Sequence, residues 1–426
     1  MNNFWTLAGF EFKKIFRRKT FPAAILICLG IIAVTVFSSI SGGSFHHSVG
    51  RDISKYEAMK LDKAVILTNR GYISSELISK ALLSNREMIS NEDNFFVNEY
   101  GRHLKEEAYI RYILPYEPVV ELINKVYAED LDWLAMDALS LEYLGEDKAA
   151  DRLSPEQAEN FDSVLKDFAR TMTLRKKGLS AAEVEKNLEL IESIETPLYS
   201  DYFGGYEAYI MSSKGLAITA LFMLLLLLSP IFSNEYEEKT DQIILCTRNG
   251  KGSLCRAKLF VSLVISVLGA ALVMGLSWLA FLLIYGFEGG NVNIQVANPG
   301  CTYPLTLLEA CLIHFVSVLF ACALFAAMVC FLSARVKRST APVVIIGTLL
   351  TIIPMFIWAP LKSSGPIYEL LKFFPVNSVS FGFDRSFIEI FGILFAPYKF
   401  IWAFSTLLIA AFSFLAVRSF KRHQPG

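Results

Sequence analysis

The sequence predicts an all-α polytopic membrane protein with six transmembrane helices, and three observations support this class. The chain of 426 residues is 54% hydrophobic and only 19% charged, whereas an ordinary soluble domain carries about 25% charged residues. Its mean hydropathy is +0.43. Six apolar runs are long enough to cross a bilayer, and basic residues collect in alternate connections between them. This composition argues against a soluble globular protein and against a nucleic-acid-binding protein.

The six predicted spans are apolar runs of 18 to 28 residues, and about 20 helical residues cross a bilayer core about 30 Å thick. The first run follows five basic residues between positions 13 and 19. A cleaved signal peptide is the alternative, but its apolar core is usually about 7–15 residues long. We therefore interpret the first run as an uncleaved anchor. In chain order the runs are Phe21–Ile40, Gly215–Phe232, Leu259–Tyr285, Leu305–Leu332, Ala341–Pro360 and Phe400–Val417.

The orientation follows from the connections, because Lys and Arg favour the cytoplasmic side. The loop Asn234–Lys258 has five basic residues, Ala334–Thr340 has three, and the tail from Arg418 has three. On the opposite side, Gly286–Tyr303 has none. The sequence therefore predicts cytoplasmic termini and an extracytoplasmic location for residues 45–212.

The formal net charge of −1 conceals two opposite parts of the chain. Residues 45–212 hold 19 Lys and Arg against 31 Asp and Glu, net −12, and the remainder holds 21 against 10, net +11. We call these 168 residues the insert. Its acidity either forms an ordinary solvated surface or raises the local concentration of a cationic ligand, such as a basic peptide.

Apolar residues at helical spacing predict that the insert is mainly helical. They mark Ile53–Leu67, Ser74–Ile89 and Glu99–Ile113. Two later helices have start signals: Ser154 is followed by a first-turn proline, and Ser180–Glu183 fits a capping box. Pro197 is expected to end the last helix. All seven cysteines lie outside the insert, so it holds no internal disulfide.

No catalytic or metal-binding signature occurs in the chain. It has no H-E-x-x-H, no G-x-S-x-G, no C-x-x-C and no complete Walker A motif. Gly250-Lys251 mimics a phosphate loop, but Gly252 stands where a Ser or Thr would contact magnesium. The doublet His46-His47 has no partners nearby in sequence. We expect no catalytic residue, no cofactor and no metal ion in this chain.

Two segments on the predicted cytoplasmic side have marked patterns. Residues 3–19 are amphipathic, which is typical of a helix that lies in the membrane interface. Their apolar stripe is Trp5, Ala8, Phe12, Ile15 and Phe16, and the basic residues predicted to lie away from it are Lys14, Arg17 and Arg18. In the loop of residues 234–258, Glu235 and Lys239 are four residues apart, which favours a short helix before Gly250.

These segments resemble those of type-2 ATP-binding-cassette exporter permeases, in the bacterial branch with a large insert after the first span. Glu11–Thr20 resembles the basic N-terminal elbow helix of that family. The loop has the family's order of an acidic start, a Thr, an apolar triplet, a basic residue and a final Lys. In this sequence they are Glu235, Thr240, Ile243–Leu245, Arg248 and Lys258, and Lys239 stands where many relatives have Gly.

The resemblance implies a division of the chain and a function. Residues 1–20 would be the elbow helix, 21–44 the first span, 45–212 the extracytoplasmic domain and 213–426 the remaining spans. Residues 234–258 would be the coupling loop and 361–399 re-entrant external helices. The residues that couple to the ATPase would be Glu235, Glu237, Glu238, Lys239, Thr240, Arg248 and Lys258. The elbow helix would contribute Trp5, Phe12, Lys14, Arg17 and Arg18.

The implied protein is a transport subunit and not itself an enzyme. A separate cytoplasmic ATPase would bind ATP and Mg, and a second permease copy or a paralogue would complete the transporter in a bacterial plasma membrane. The cargo could be a cationic or amphipathic peptide, an antibiotic or a lipid. The alternative is a polytopic sensor with an extracellular ligand-binding domain, but the longest cytoplasmic segment, about 25 residues, is too short for a signalling domain.

Two ionisable residues fall within the fourth predicted span, where such groups are costly and are functional candidates. They are Glu309 and His314. A substrate path is one interpretation of them. Helix packing, or for Glu309 contact with the outer interface, is the other.

Overall fold

The computed structural model describes residues 3–99, 101–128, 149–176, 178–240, 250–336, 339–358, 371–378, 383 and 385–422. Within them it confirms an all-α polytopic membrane protein, because six helices are long and apolar enough to cross a bilayer. The helices are α1 (Asn3–Phe16), α2 (Thr20–Gly42), α3 (Lys55–Ile66), α4 (Ser75–Ser90), α5 (Glu106–Tyr112), α6 (Glu117–Val126), α7 (Phe161–Arg175), α8 (Ala181–Glu192), α9 (Gly204–Leu228), α10 (Pro230–Glu237), α11 (Cys255–Tyr285), α12 (Ile294–Ala297), α13 (Leu307–Arg335), α14 (Thr340–Trp358), α15 (Pro375–Ser378) and α16 (Pro397–Lys421).

The centre of the spanning region is formed by α9, α11 and α13, which pack against one another. Side chains on these helices, such as Leu224, Val273 and Cys322, are completely buried. The first span, α2, packs on α9 but leaves much of its apolar surface uncovered, and the Phe37 side chain is 72% exposed. An exposed apolar surface on a helix of this length suits contact with lipid acyl chains.

The insert is mainly helical, and several predicted helices occur as expected. Helices α3 and α4 confirm two of the predicted ranges, and Ser180 with Glu183 forms the predicted capping box at the start of α8. Helix α7 begins only at Phe161, since Pro155–Asn160 is a 3₁₀ helix. Helix α8 ends at Glu192, before Pro197.

The predicted helix over residues 99–113 is wrong in its first half. The chain forms an antiparallel hairpin there, in which β1 (Phe95–Asn98) pairs with β2 (Gly101–Leu104), and a helix begins only at Glu106. Gly101 has φ +119, a conformation that favours glycine and turns the chain back on itself. The apolar spacing of the segment is compatible with a helix, but the turn at Gly101 reverses the chain so that the two flanking segments pair as strands.

A second correction concerns the segment before the last span. Residues 361–399 were expected to form re-entrant helices, but Ile388–Ile390 and Ile393–Phe395 pair as an antiparallel hairpin. Residues 361–370, 379–382 and 384 lie outside the described residues. Before the hairpin, the described part includes the single helical turn Pro375–Ser378. Its Asn377 Nδ2 donates to the Pro354 and Leu371 carbonyls at 3.1 and 3.0 Å. Pro354 lies inside α14, so this side chain satisfies a backbone acceptor in a helix that proline interrupts.

The insert is attached to the spanning region by polar contacts at one end of the spans. Lys63 Nζ lies 2.6 Å from a Glu288 carboxylate oxygen, and the Tyr199 backbone N–H donates to Asn293 Oδ1 at 2.8 Å. The buried Lys125 Nζ donates to the Ala297 carbonyl at 3.2 Å. These contacts come from several parts of the insert.

The buried side chain of Asn187 makes the most extensive of these contacts. Its Nδ2 donates to the Arg385 carbonyl at 2.8 Å, and its Oδ1 accepts a hydrogen bond from Thr302 Oγ1 at 2.9 Å. Thr302 belongs to the connection between α11 and α13, and Arg385 lies before the last span. One side chain of the insert thus joins two connections of the spanning region.

We predict that Asn187→Ala lowers the stability of the whole chain, because it removes a donor and an acceptor from buried partners. A loss of about 1–3 kcal/mol is expected for such a site. Thermal unfolding of the purified protein in detergent measures it as a lower melting temperature. Asn160→Ala is the matched control, since Asn160 is exposed and its side chain makes no cap hydrogen bond. An equal shift in both variants would contradict the assignment.

Candidate functional site

Three segments meet at the end of the spans opposite the insert. They are α1, α10 with the turn that follows it, and the first turns of α11. The apolar side of α1 lies partly against α11: Ala8 and Ile15 are buried, and the rings of Phe4 and Phe260 are 5.7 Å apart. Trp5 remains 62% exposed. The predicted apolar stripe therefore serves partly as protein contact.

A charge cluster lies at the centre of this junction, with Lys258 in the middle. Lys258 Nζ is 3.0 Å from Glu11 Oε2 and 2.8 Å from Glu235 Oε1. Glu235 Oε1 also accepts from Lys14 Nζ at 2.6 Å, and Glu235 Oε2 accepts from Thr240 Oγ1 at 2.6 Å. We call these five residues the charge cluster.

Burial makes the charge cluster energetically important. Lys258 is completely buried, and Glu11 and Glu235 are 6% and 4% exposed. Two carboxylates and two ammonium groups balance in charge, which offsets much of the cost of desolvating them. Removing one partner of such an arrangement leaves an uncompensated buried charge, and this costs about 3–5 kcal/mol.

Arg18 lies beside the charge cluster in the short connection between α1 and α2. Burial lowers the pKa of its guanidinium below the ordinary value, and the carboxylates of Glu11, Glu235 and Glu238 oppose that effect. Arginine stays protonated in proteins. Arg18 therefore adds a permanent positive charge next to the cluster.

Helix α10, which carries Glu235, is held in place by a hydroxyl from another span. Pro230 begins this helix, whose first N–H groups have no partner within it. Ser333 Oγ on α13 accepts from the backbone N–H groups of Phe232 and Ser233 at 3.1 and 3.0 Å and donates to the Ser229 carbonyl at 2.7 Å. Position and orientation of α10 are thus fixed by the fourth span.

The chain leaves α10 in a turn that faces solvent. Glu237, Glu238 and Lys239 are exposed side by side, and Lys239 has φ +57, in the left-handed region. The predicted helical pairing of Glu235 with Lys239 is therefore wrong. The helix ends at Glu237, and Glu235 instead turns inward to Lys258 and Lys14.

The structure thus brings three of the predicted coupling residues, Glu235, Thr240 and Lys258, into one cluster with Lys14 of the predicted elbow helix. Arg17 is exposed, Phe12 is partly buried, and Arg248 lies outside the described residues. Sequence reasoning assigned no role to Glu11. Glu11 is the only acidic residue among the first 44, and it lies next to a strongly basic segment. A single carboxylate in such a position could have indicated that it pairs with a buried cation.

The two candidates for a substrate path lie away from this cluster. Glu309 forms a capping box with Thr306 at the start of α13, in which its Oε2 accepts from the Thr306 N–H at 2.8 Å. His314 lies five residues further along the helix, is 8% exposed and has its ring 6.5 Å from that of Tyr209. The capping role accounts for a carboxylate at Glu309 without a substrate.

In the folded chain, both histidines of the doublet His46-His47 contact carboxylates that are distant in sequence. His46 Nδ1 is 2.6 Å from a Glu106 carboxylate oxygen and Nε2 is 3.3 Å from Glu117, while His47 Nδ1 is 2.5 Å from Asp62 Oδ1. Burial lowers the pKa of His46, but hydrogen bonds and charge from Glu117 and Glu106 outweigh it and raise the pKa overall. Among the described residues, no group of three or more His, Cys, Asp or Glu side chains could hold a metal ion.

We predict that Lys258→Met destabilises the chain by about 3–5 kcal/mol, because Glu11 and Glu235 lose their shared buried partner. Arg256→Met is the matched control: it removes a basic residue from the same helix end at an exposed position. Thermal unfolding in detergent compares the two. A similar small effect of both substitutions would show that the cluster does not stabilise the fold.

A separate prediction concerns the left-handed turn. The left-handed conformation costs a non-glycine residue about 1–2 kcal/mol, so Lys239→Gly should retain or raise stability, while Lys239→Val should lower it. Glycine's greater freedom in the unfolded chain reduces the gain. Glu238→Gly, at φ −83, is the control and should lower stability. Stabilisation by both glycine variants would contradict a strained Lys239.

No protein-family model matches this chain, and a search of curated proteins finds no match either. The interpretation of the charge cluster therefore depends on the geometry of this chain. Buried ionic contacts join α1, α10 and the start of α11 at one end of six apolar helices.

Proposed function

We propose that this chain is the membrane-spanning permease subunit of an exporter whose ATP is hydrolysed by a separate cytoplasmic ATPase. The observation that carries the proposal is the charge cluster. It joins the N-terminal helix, the turn after the second span and the start of the third span through one buried lysine. A force applied to the turn would reach all three elements together.

The exposed turn supports a docking role for this end of the molecule. Glu237, Glu238 and Lys239 face solvent directly beside the buried Glu235. Charged groups in such a position favour recognition of a partner by electrostatic complementarity. The same short segment therefore has an outward face for a partner and an inward face that is anchored in the spans.

The proposed mechanism uses this arrangement as a lever. ATP binding closes a pair of ATPase subunits beneath two permease copies, and the turn and α1 move as one body. Ser333 transmits that displacement to the fourth span, because it holds the first N–H groups of α10. ATP must then bind one conformation more tightly than the other for the cycle to proceed.

This function requires the cluster end to be cytoplasmic and the insert to be extracytoplasmic. The five basic residues between positions 13 and 19 and the basic end of α16 support that orientation. A bacterial plasma membrane is the location we propose. ATP and Mg would bind to the ATPase, and the permease itself would hydrolyse nothing.

The test separates docking from transmission. The chain is co-purified with the ATPase encoded by a neighbouring gene and reconstituted in liposomes. We predict that Glu237→Ala/Glu238→Ala weakens association of the ATPase. By contrast, Glu235→Gln should leave association intact while it lowers export and its coupling to ATP hydrolysis, because the buried bridge to Lys14 and Lys258 is weakened.

Glu87→Ala, which removes an exposed carboxylate from α4 of the insert, is the control and should change neither association nor export. If no ATPase associates with the wild-type chain, the permease assignment is wrong. A response to an external ligand without any ATPase would favour the sensor instead.

A further inference from the structure

A cavity of about 830 Å³ lies where the first two spans leave the membrane beneath the insert. Its walls come from the last turns of α2, the chain that follows to His46, helices α3 and α6, and the first turns of α9. A volume of this size is typical of sites for small organic molecules. The cavity is at the end of the spans opposite the charge cluster.

The lining combines apolar surface with an excess of carboxylates. Val34, Met59 and Met211 supply apolar side chains, and Phe45, Phe203, Tyr202 and Tyr285 supply aromatic rings. Four carboxylates face the same space, those of Asp62, Glu117, Glu121 and Glu207, together with one imidazole, that of His46.

Two of these carboxylates are already engaged in structural contacts. Asp62 accepts from the backbone N–H groups of His46 and His47 at 2.7 and 3.1 Å. Glu117 accepts from the Tyr109 hydroxyl at 3.0 Å and lies near His46 Nε2. Both therefore shape the wall of the cavity, and their negative charge is partly compensated by these donors.

The other two have weaker partners or none. Glu121 is 4.0 Å from Lys125 Nζ and its side chain is 52% exposed, and Lys125 also donates to the Ala297 carbonyl. The backbone N–H of Glu207 donates to the Phe203 carbonyl at 3.0 Å, but its carboxylate, which lines the cavity, makes no hydrogen bond or ion pair with any residue that the structure describes. Two lysines near the lining are also engaged: Lys63 Nζ is paired with Glu288, and Lys55 Nζ donates to the Gly43 carbonyl at 2.8 Å.

We propose that this cavity binds a small cationic amphiphile, whose ammonium-type group lies between Glu121 and Glu207 and whose apolar body lies along α2 and α9. The carboxylates of Glu121 and Glu207 compensate the cation, and the aromatic rings add cation–π attraction. The apolar wall removes the hydrocarbon part from water. A divalent metal ion fits less well, since no metal-binding group occurs among the described residues.

This inference gives a ligand class for the cavity beneath the insert, and only the side of the membrane and the place in export rest on the proposed function. Binding to the cavity needs no ATPase. The two proposals can therefore fail independently, because binding is measured on the permease chain alone and coupling is measured on the reconstituted complex.

The experiment uses the full chain purified in dodecyl maltoside, a neutral detergent. Dodecyltrimethylammonium is the probe, and native mass spectrometry counts the molecules bound per chain and gives the dissociation constant. We predict one bound probe. Glu207→Gln and Glu121→Gln should each weaken binding about tenfold, as expected when a charged partner becomes neutral. Ala208→Trp, which fills the cavity, should abolish binding.

Glu87→Gln is the matched control, since it neutralises an exposed carboxylate of the insert far from the lining residues in sequence, and it should leave the dissociation constant unchanged. Thermal unfolding confirms that each variant is folded. Unchanged binding in Glu207→Gln and Glu121→Gln, or equal competition by the anionic dodecyl sulfate, would overturn the proposal.

A final arm distinguishes a free amphiphile from a lipid with the same chemistry. Phosphatidylethanolamine carries an ammonium group and is recognised by its mass. This lipid is zwitterionic, so it shares only the ammonium group with the probe. If it copurifies with the chain and competes with the probe in a Glu207-dependent manner, the ammonium group in the cavity belongs to a membrane lipid. If it does not compete, the ligand is a soluble cation that enters from the external side.

Discussion

The junction at one end of the spans depends on a single buried ammonium group. Lys258 is completely enclosed, and its position is tolerable because Glu11 and Glu235 reach it from two other segments. A buried charge without partners is far too costly to survive folding. The N-terminal helix, the turn after the second span and the start of the third span must therefore assemble together, since each supplies part of one neutral arrangement.

The same constraint links this end of the molecule to the rest of the fold. Glu235 can reach Lys258 because α10 starts at Pro230, and Ser333 on the fourth span satisfies the N–H groups that this start leaves free. At the opposite end, polar side chains of the insert bond to the connections of the spans, with Asn187 joining two of them. At each end of the spans, a few buried polar contacts fix the neighbouring segments to the apolar helices.

This arrangement gives the proposed function its physical basis. An exposed charged turn is next to a buried bridge at one end, and an acidic cavity opens beneath the insert at the other. The helices α2 and α9 line the cavity, and α9 continues through Ser229 into α10 and the charge cluster. A displacement of the turn can therefore change the shape of the cavity, because α9 and α10 connect the two.

The sequence by itself determined the class of the protein, the number of spans and the contrast between an acidic insert and a basic remainder, because hydropathy and charge act locally along the chain. It also identified Glu235, Thr240 and Lys258 as a set, although the resemblance and not the spacing connected them. Only the tertiary structure decided that Lys14 and Glu11 complete that set, that Glu235 turns away from Lys239, and that residues 388–395 form a hairpin. The cavity, too, became visible only when Glu121 and Glu207 were brought together from positions 86 residues apart. Residues so distant in sequence become partners because pairing in the folded chain offsets the free-energy cost of removing their charges from water. A local sequence pattern does not show which distant residues will pair.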